Sequence, residues 1–196
     1  MRMSVSEEQA SRSSTSVNVH LVNVNHMIEI FSTRFGDLAI GCHQGEVCLC
    51  DWTSSRRYQG HLVALKKKIP AIKTCHEDDR KLFEAVVRWI EMYLEGSREL
   101  PAFKIGAVGT EFQKTVWRQI SAIPYGETLT YSGLASAIGC RSAIRAVASA
   151  CASNPVSFLV PCHRVIGADG SLTGYAGGLA VKAALLQLEH PGGINF

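Results

Sequence analysis

At 196 residues, 46% of them hydrophobic, the chain is long enough for one domain or two small ones, and too ordinary in composition for a fibrous or disordered protein. Its formal charge of +3, with 14 basic against 13 acidic residues up to Gly106 and 6 against 4 beyond it, excludes a protein that holds polyanions by bulk charge. A nucleic-acid role has to rest on a few well-placed cations. The seven cysteines are odd in number and form no CxxC pair, and no stretch has the pattern of a cleavable leader or a membrane span. The expectation is a reducing compartment, the cytoplasm (with the nucleus as well in a eukaryote), and no membrane partner.

Residues 1–16 are polar and serine-rich and read as a flexible tail. Residues 17–106 read as a small α/β unit. VNVHLVNV, MIEIFSTRF, LAIGCH and EVCLCDW alternate apolar and polar positions around the Gly36-Asp37 and Gln44-Gly45 breaks, which predicts an antiparallel meander. Cys42, Cys48 and Cys50 fall in that strand-like sequence. Buried thiols fit them better than a zinc site built with His43 or Cys75, so no metal is expected. Residues 53–74 show no clear period. Leu82, Phe83, Val86, Val87, Ile90, Tyr93 and Leu94 share one helical face, with Glu77, Asp78 and Asp79 at the positive end and Gly96 as a stop. Residues 97–108 read as a linker.

Residues 107–196 read as a mainly helical unit. Thr110 and Gln113 form a capping box ahead of Phe112, Val116, Trp117 and Ile120. Thr130 caps a short helix closed by Gly139, and Ser142 caps a second one from Ala143 to about Ala152, a helix-turn-helix pattern. In that second helix Ala143, Ile144, Ala146, Val147 and Ala148 are small or apolar, and Arg145 is the only long polar residue. Small residues permit either close approach to a groove floor or tight packing within a core. A major-groove reader would carry more Arg, Asn or Gln.

Next comes NPVSFLVPCHRVI, in which residues 156–160 read as a buried strand ending at Pro161, followed by a turn that lets Cys162 and His163 cooperate. Only the thiolate is a good nucleophile, and imidazole is the base that makes one; a buried cysteine is also a common apolar filler. GADGSLTGYAGG then forms a loop able to line a pocket, with Tyr175 its one aromatic. Glu189 ends the last helix, where the dipole disfavours an anion, and is either an orienting carboxylate or an exposed side chain.

Taken together, PCHRVI, IPYGET, TYSGLASAIG, IRAVASACASNP, GYAGGLAVK and LLQLEH resemble, in order and spacing, the O6-alkylguanine-DNA alkyltransferases over residues 110–190. The resemblance implies an α/β (α+β) fold: a small antiparallel-sheet N-terminal domain, ribonuclease-H-like, then a helical domain with a helix-turn-helix and an active-site Cys loop. It implies irreversible transfer of an alkyl group from O6-methylguanine in double-stranded DNA to Cys162, once per molecule, with O4-methylthymine left open. His163 would act as base through a water, Glu189 would orient His163, and Asn154 would hold the turn before the Cys loop. Tyr131 and Arg145 would drive base flipping, with Ala143, Ile144 and Ala148 at the DNA. Cys162, Val165, Tyr175 and Ala176 would form the base pocket, and Gly177 would leave room for larger alkyl groups. No cofactor is implied, and a monomer is expected. The competing readings are a non-transferring alkylated-DNA-binding or regulatory protein of the same fold, and a Cys-dependent hydrolase.

Overall fold

The computed structural model describes residues 28–69, 77–190 and 192. The VNVHLVNV segment, the tail and Cys75 lie outside the described residues. Three strands, β1 (Ile28–Thr33), β2 (Gly36–His43) and β3 (Glu46–Trp52), form the expected antiparallel meander, and Gln44-Gly45 makes the second turn. A two-residue strand, β4 (Lys104–Ile105), pairs parallel to β3 within the segment read as a linker. Gly106 continues the pairing by donating its N–H to Val47 O at 3.0 Å.

Helices cover both faces of this sheet. Leu38, Ile40 and Val47 pack with Val86 and Ile90 of α2 (Glu77–Leu94), which buries the predicted face. Ala39, Cys48 and Leu49 pack with Leu65 of α1 (Tyr58–Lys68) on the other side. The sequence signalled no α1, because Leu65 alone is buried in it and a single buried position makes no apolar stripe. Cys42, Cys48 and Cys50 are buried thiols, as expected.

Beyond Gly106 lie α3 (Glu111–Ser121), α4 (Tyr131–Ala137), α5 (Ile144–Ala152) and α6 (Leu179–Glu189). The Thr110–Gln113 capping box is closed in both directions, and Thr130 Oγ1 caps α4 through Gly133 N. Val116, Trp117 and Ile120 are buried while Phe112 stays exposed. Helices α4 and α5 form the helix-turn-helix, with Gly139 at φ 73° in its turn. Ser142 is not the cap of α5: that position falls to Ala143, which makes no side-chain cap bond.

Residues 156–160 are buried but are not a strand. Asn154 Nδ2 donates to Val160 O at 3.0 Å and Asn154 Oδ1 accepts from Val156 N at 3.1 Å, folding the run into consecutive turns. This knot docks on β3 through Cys50 N to Pro155 O at 3.0 Å. Apolar content dictated burial, and the asparagine, whose side chain competes for backbone groups, dictated the shape.

Candidate active site

The Asn154 knot delivers the chain to Pro161, and Cys162–Arg164 then form a single 3₁₀ turn leading into β6 (Val165–Ile166), which pairs parallel to β5 (Leu129–Thr130). Cys162, 5% exposed, faces a cavity of about 460 Å³. Its thiol donates to Ser157 O at 3.5 Å. A larger cleft of about 1090 Å³ beside α3 contains none of the predicted site residues.

His163 is buried, and its Nε2 donates to Glu189 Oε1 at 3.0 Å. Its other ring nitrogen, Nδ1, is buried with no hydrogen-bond partner among the described residues, so the nitrogen left as acceptor is not committed to any protein group. Burial lowers the His163 pKa, and Glu189 only partly opposes that.

Glu189 is buried, not exposed, and its carboxylate collects donors from across the chain. Arg164 Nη2 lies 2.7 Å and Tyr93 Oη 2.5 Å from Oε1, and Gly126 N lies 3.1 Å from Oε2. Burial by itself would raise its pKa; the hydrogen bonds and charges of His163 and Arg164 outweigh that and hold it well below the usual carboxylate range. Arg164 also donates to Ile123 O at 2.6 Å, which fits a structural residue.

The cavity is lined by Cys162, Asn154, Tyr131, Tyr175 and Ala176 of the predicted set. Val165 is fully buried and not among the lining residues; its carbonyl accepts from Lys182 Nζ at 2.6 Å. Lys182 Nζ also donates to Thr173 O at 2.6 Å, so this buried ammonium pins the glycine-rich loop. Burial, then the neighbouring Cys151, push the Tyr131 phenol up to about 12. Ile144 and Arg145 are exposed on α5, with Ala143 and Ala148 half-buried beside them, while Val147, Ala150 and Cys151 face inward.

Several site residues were not singled out from the sequence. Trp52 Nε1 donates to Tyr175 Oη at 3.0 Å, and a Cβ at Gly177 would lie 2.9 Å from the Trp52 indole. The glycine thus permits close approach to Trp52 while lining the cavity. Arg56, Arg57 and Cys151 line the same cavity, and Tyr93 reaches the His163–Glu189 pair from α2. The pattern of apolar positions placed Trp52 and Tyr93 in a core and carried no sign of their polar ends.

Residues 111–191 match the model of the 6-O-methylguanine DNA methyltransferase DNA-binding domain. Over 130 residues the chain is 47% identical to the methylated-DNA–protein-cysteine methyltransferase of Methanosarcina barkeri, covering 66% of this chain and 82% of that one. The chain belongs to the methylated-DNA–protein-cysteine methyltransferase family. The inducible methyltransferase of Bacillus subtilis is 50% identical over 113 residues, 58% of this chain and 63% of that one. A crystal structure of Mycobacterium tuberculosis OGT in complex with DNA is similar at a TM-score of 0.69 and 32% identity, covering 83% of this chain and 91% of that one. All the residues predicted from the methyltransferase motifs lie within the 111–191 match, whereas Trp52 and Tyr93 lie outside it.

Proposed function

We propose that this protein repairs O6-alkylguanine in double-stranded DNA by moving the alkyl group, irreversibly and once, to Cys162. The observation that carries this reading is the pairing of a buried Cys162 with a His163 whose Nε2 is tied to Glu189 and whose Nδ1 has no partner among the described residues. That arrangement supports a base held in one tautomer with its lone pair available for the thiol proton, taken through a water. The need for a base is clear, since the neighbouring Cys151 and burial both push the Cys162 thiol towards its protonated form.

The alkyl carbon on O6 is out of reach inside a stacked duplex, so the nucleotide is extruded into the cavity, at roughly a few kcal/mol. Exposed Arg145 fills the gap in the stack. Ala143, Ile144 and Ala148 let α5 lie close to the minor groove, where bending and insertion, not base-edge hydrogen bonds, hold the DNA. Tyr131 crowds the phosphate and gives its proton to the leaving base. Tyr175 walls the pocket, and backbone groups at Cys162 and Ala176, which line it, read the guanine edge. The sulfur attacks the alkyl carbon in line, the C–O6 bond breaks with its electron pair going to guanine, and a thioether remains.

In this reading residues 107–196 dock DNA and carry the acceptor, β3, the segment after it and α2 of the N-terminal unit brace the pocket, and the protein works as a cytoplasmic monomer. No helix among the described residues is long and apolar enough to cross a membrane. A non-transferring DNA-binding protein of the same fold is not favoured, because the acceptor position holds a cysteine.

The test is to mix the protein with one equivalent of duplex containing O6-methylguanine and map the peptides by mass spectrometry beside Cys162→Ala. A single methyl on the Cys162 peptide with guanine restored supports the reading; tight binding without a thioether overturns it.

A further inference from the structure

Cys151 takes no part in the transfer described above, yet it stands in the same cavity as the acceptor. It occupies the last turn of α5 and is 4% exposed, against 5% for Cys162, and both side chains line the space next to Tyr131. Each thiol shifts the ionisation of the other, and the positive charge of buried Lys182 acts on both. Of the other described cysteines, Cys42, Cys48, Cys50 and Cys140 are not among the residues that line this cavity. Cys162 opens a single 3₁₀ turn, whose hydrogen-bond geometry is poorer than that of an α-helix and yields more readily to a small displacement.

We propose that Cys151 is a resolving thiol: when hydrogen peroxide enters the cavity and oxidises Cys162, Cys151 closes a Cys151–Cys162 disulfide that masks the acceptor reversibly. In the first step the Cys162 thiolate attacks one peroxide oxygen. The O–O bond breaks, an S–O bond forms, and the departing hydroxide leaves as water with the proton the thiol released, giving a sulfenic acid. In the second step the Cys151 sulfur gives up its proton and attacks the sulfenic sulfur. The S–S bond forms, the S–O bond breaks, and hydroxide leaves as water with that proton. The two thiols have lost two electrons and the peroxide has become two waters.

A single-use acceptor gains from this chemistry. Further oxidation to sulfinic acid has no thiol-driven return, so a lone Cys162 would be spent without removing any lesion. A disulfide is reopened by thiol exchange, and in a reducing compartment it is a transient form.

The experiment exposes the intact protein and Cys151→Ala to a few equivalents of hydrogen peroxide, then maps disulfides by non-reducing mass spectrometry. Transfer from O6-methylguanine duplex is assayed before and after a dithiol reductant, each protein against its own untreated rate. In the unsubstituted protein a peptide linking 151 to 162 is expected, with transfer falling about tenfold or more, because a disulfide sulfur is no longer a nucleophile, and returning on reduction. In C151A the sulfinic acid at Cys162 accumulates and reductant restores little. Failure of the 151–162 link to form overturns the proposal, as does a link from Cys162 to another cysteine or full recovery of C151A. The link in the unsubstituted protein decides the matter even if C151A folds poorly.

Discussion

Glu189 fixes His163 through one bond and Arg164 through contacts to both carboxylate oxygens, so its charge would serve both the proposed base and the fold. Glu189→Gln keeps the shape but leaves a buried guanidinium without its anion, a loss of roughly 3–5 kcal/mol on breaking such a pair. A urea midpoint well below that of the unsubstituted protein, together with slower transfer, is the expected outcome. Both Glu189 and His163 have folded pKa values below their ordinary ones, so the unfolded chain binds protons that the folded one refuses. Their stabilisation is complete above about pH 6.5 and is lost in acid, first as the unfolded histidine charges and then from about 4.3 downward, until the folded carboxylate itself takes a proton. Thermal melts between pH 8 and pH 4 should fall accordingly, and more shallowly in E189Q below pH 5. Arg145 is exposed and does not line the cavity that Cys162 faces, so Arg145→Ala should slow transfer from duplex about 10- to 100-fold, matching roughly 1.4–2.8 kcal/mol of the unstacking cost. Transfer from the free base O6-benzylguanine should be unchanged, and an equal loss on both substrates would remove Arg145 from base extrusion.

At the scale of elements, the turn at 154–160 matters most. Asn154→Ala removes two buried bonds, to Val160 O and Val156 N, and strands a buried carbonyl at about 1–3 kcal/mol. Denaturant unfolding should report that loss, and the slackened loop should slow transfer further than stability alone requires. This segment also marks the limit of what the sequence disclosed. The turn after Pro161 and the helix-turn-helix were legible because a proline, a glycine and the Thr130 cap act over a few residues. The shape of 156–160 was not, since an apolar run says buried without saying how, and one asparagine side chain overrode the strand pattern. Strand β4 is only two residues long and has no period to detect. Glu189 was legible as an anomaly against the helix dipole, but its partners Tyr93 and Gly126 are far away in sequence, and no local pattern reports them.

Across the whole molecule, the two halves share one core. Trp52 and Tyr93, from the sheet and α2, make edge-to-face contacts with Phe158 of the Cys segment at ring separations of 5.8 and 5.4 Å. Tyr93→Phe keeps this packing and deletes only the hydroxyl that donates to Glu189, a charge-assisted bond of roughly 1.5–3 kcal/mol. Its melting temperature should drop and its transfer rate should decline, which would tie the N-terminal unit to the chemistry; a rate equal to that of the unsubstituted protein would confine Tyr93 to packing. The donors around the Glu189 carboxylate come from α2, from the turn at Gly126 and from the 3₁₀ turn, and the carboxylate itself from the end of α6. These pieces span nearly a hundred residues, from Tyr93 to Glu189. If His163 is the base of the proposed transfer, its imidazole is fixed only where α2, the Gly126 turn and α6 have all docked on the Cys segment, so a half-folded molecule would hold the Cys162 sulfur without a carboxylate-fixed imidazole beside it.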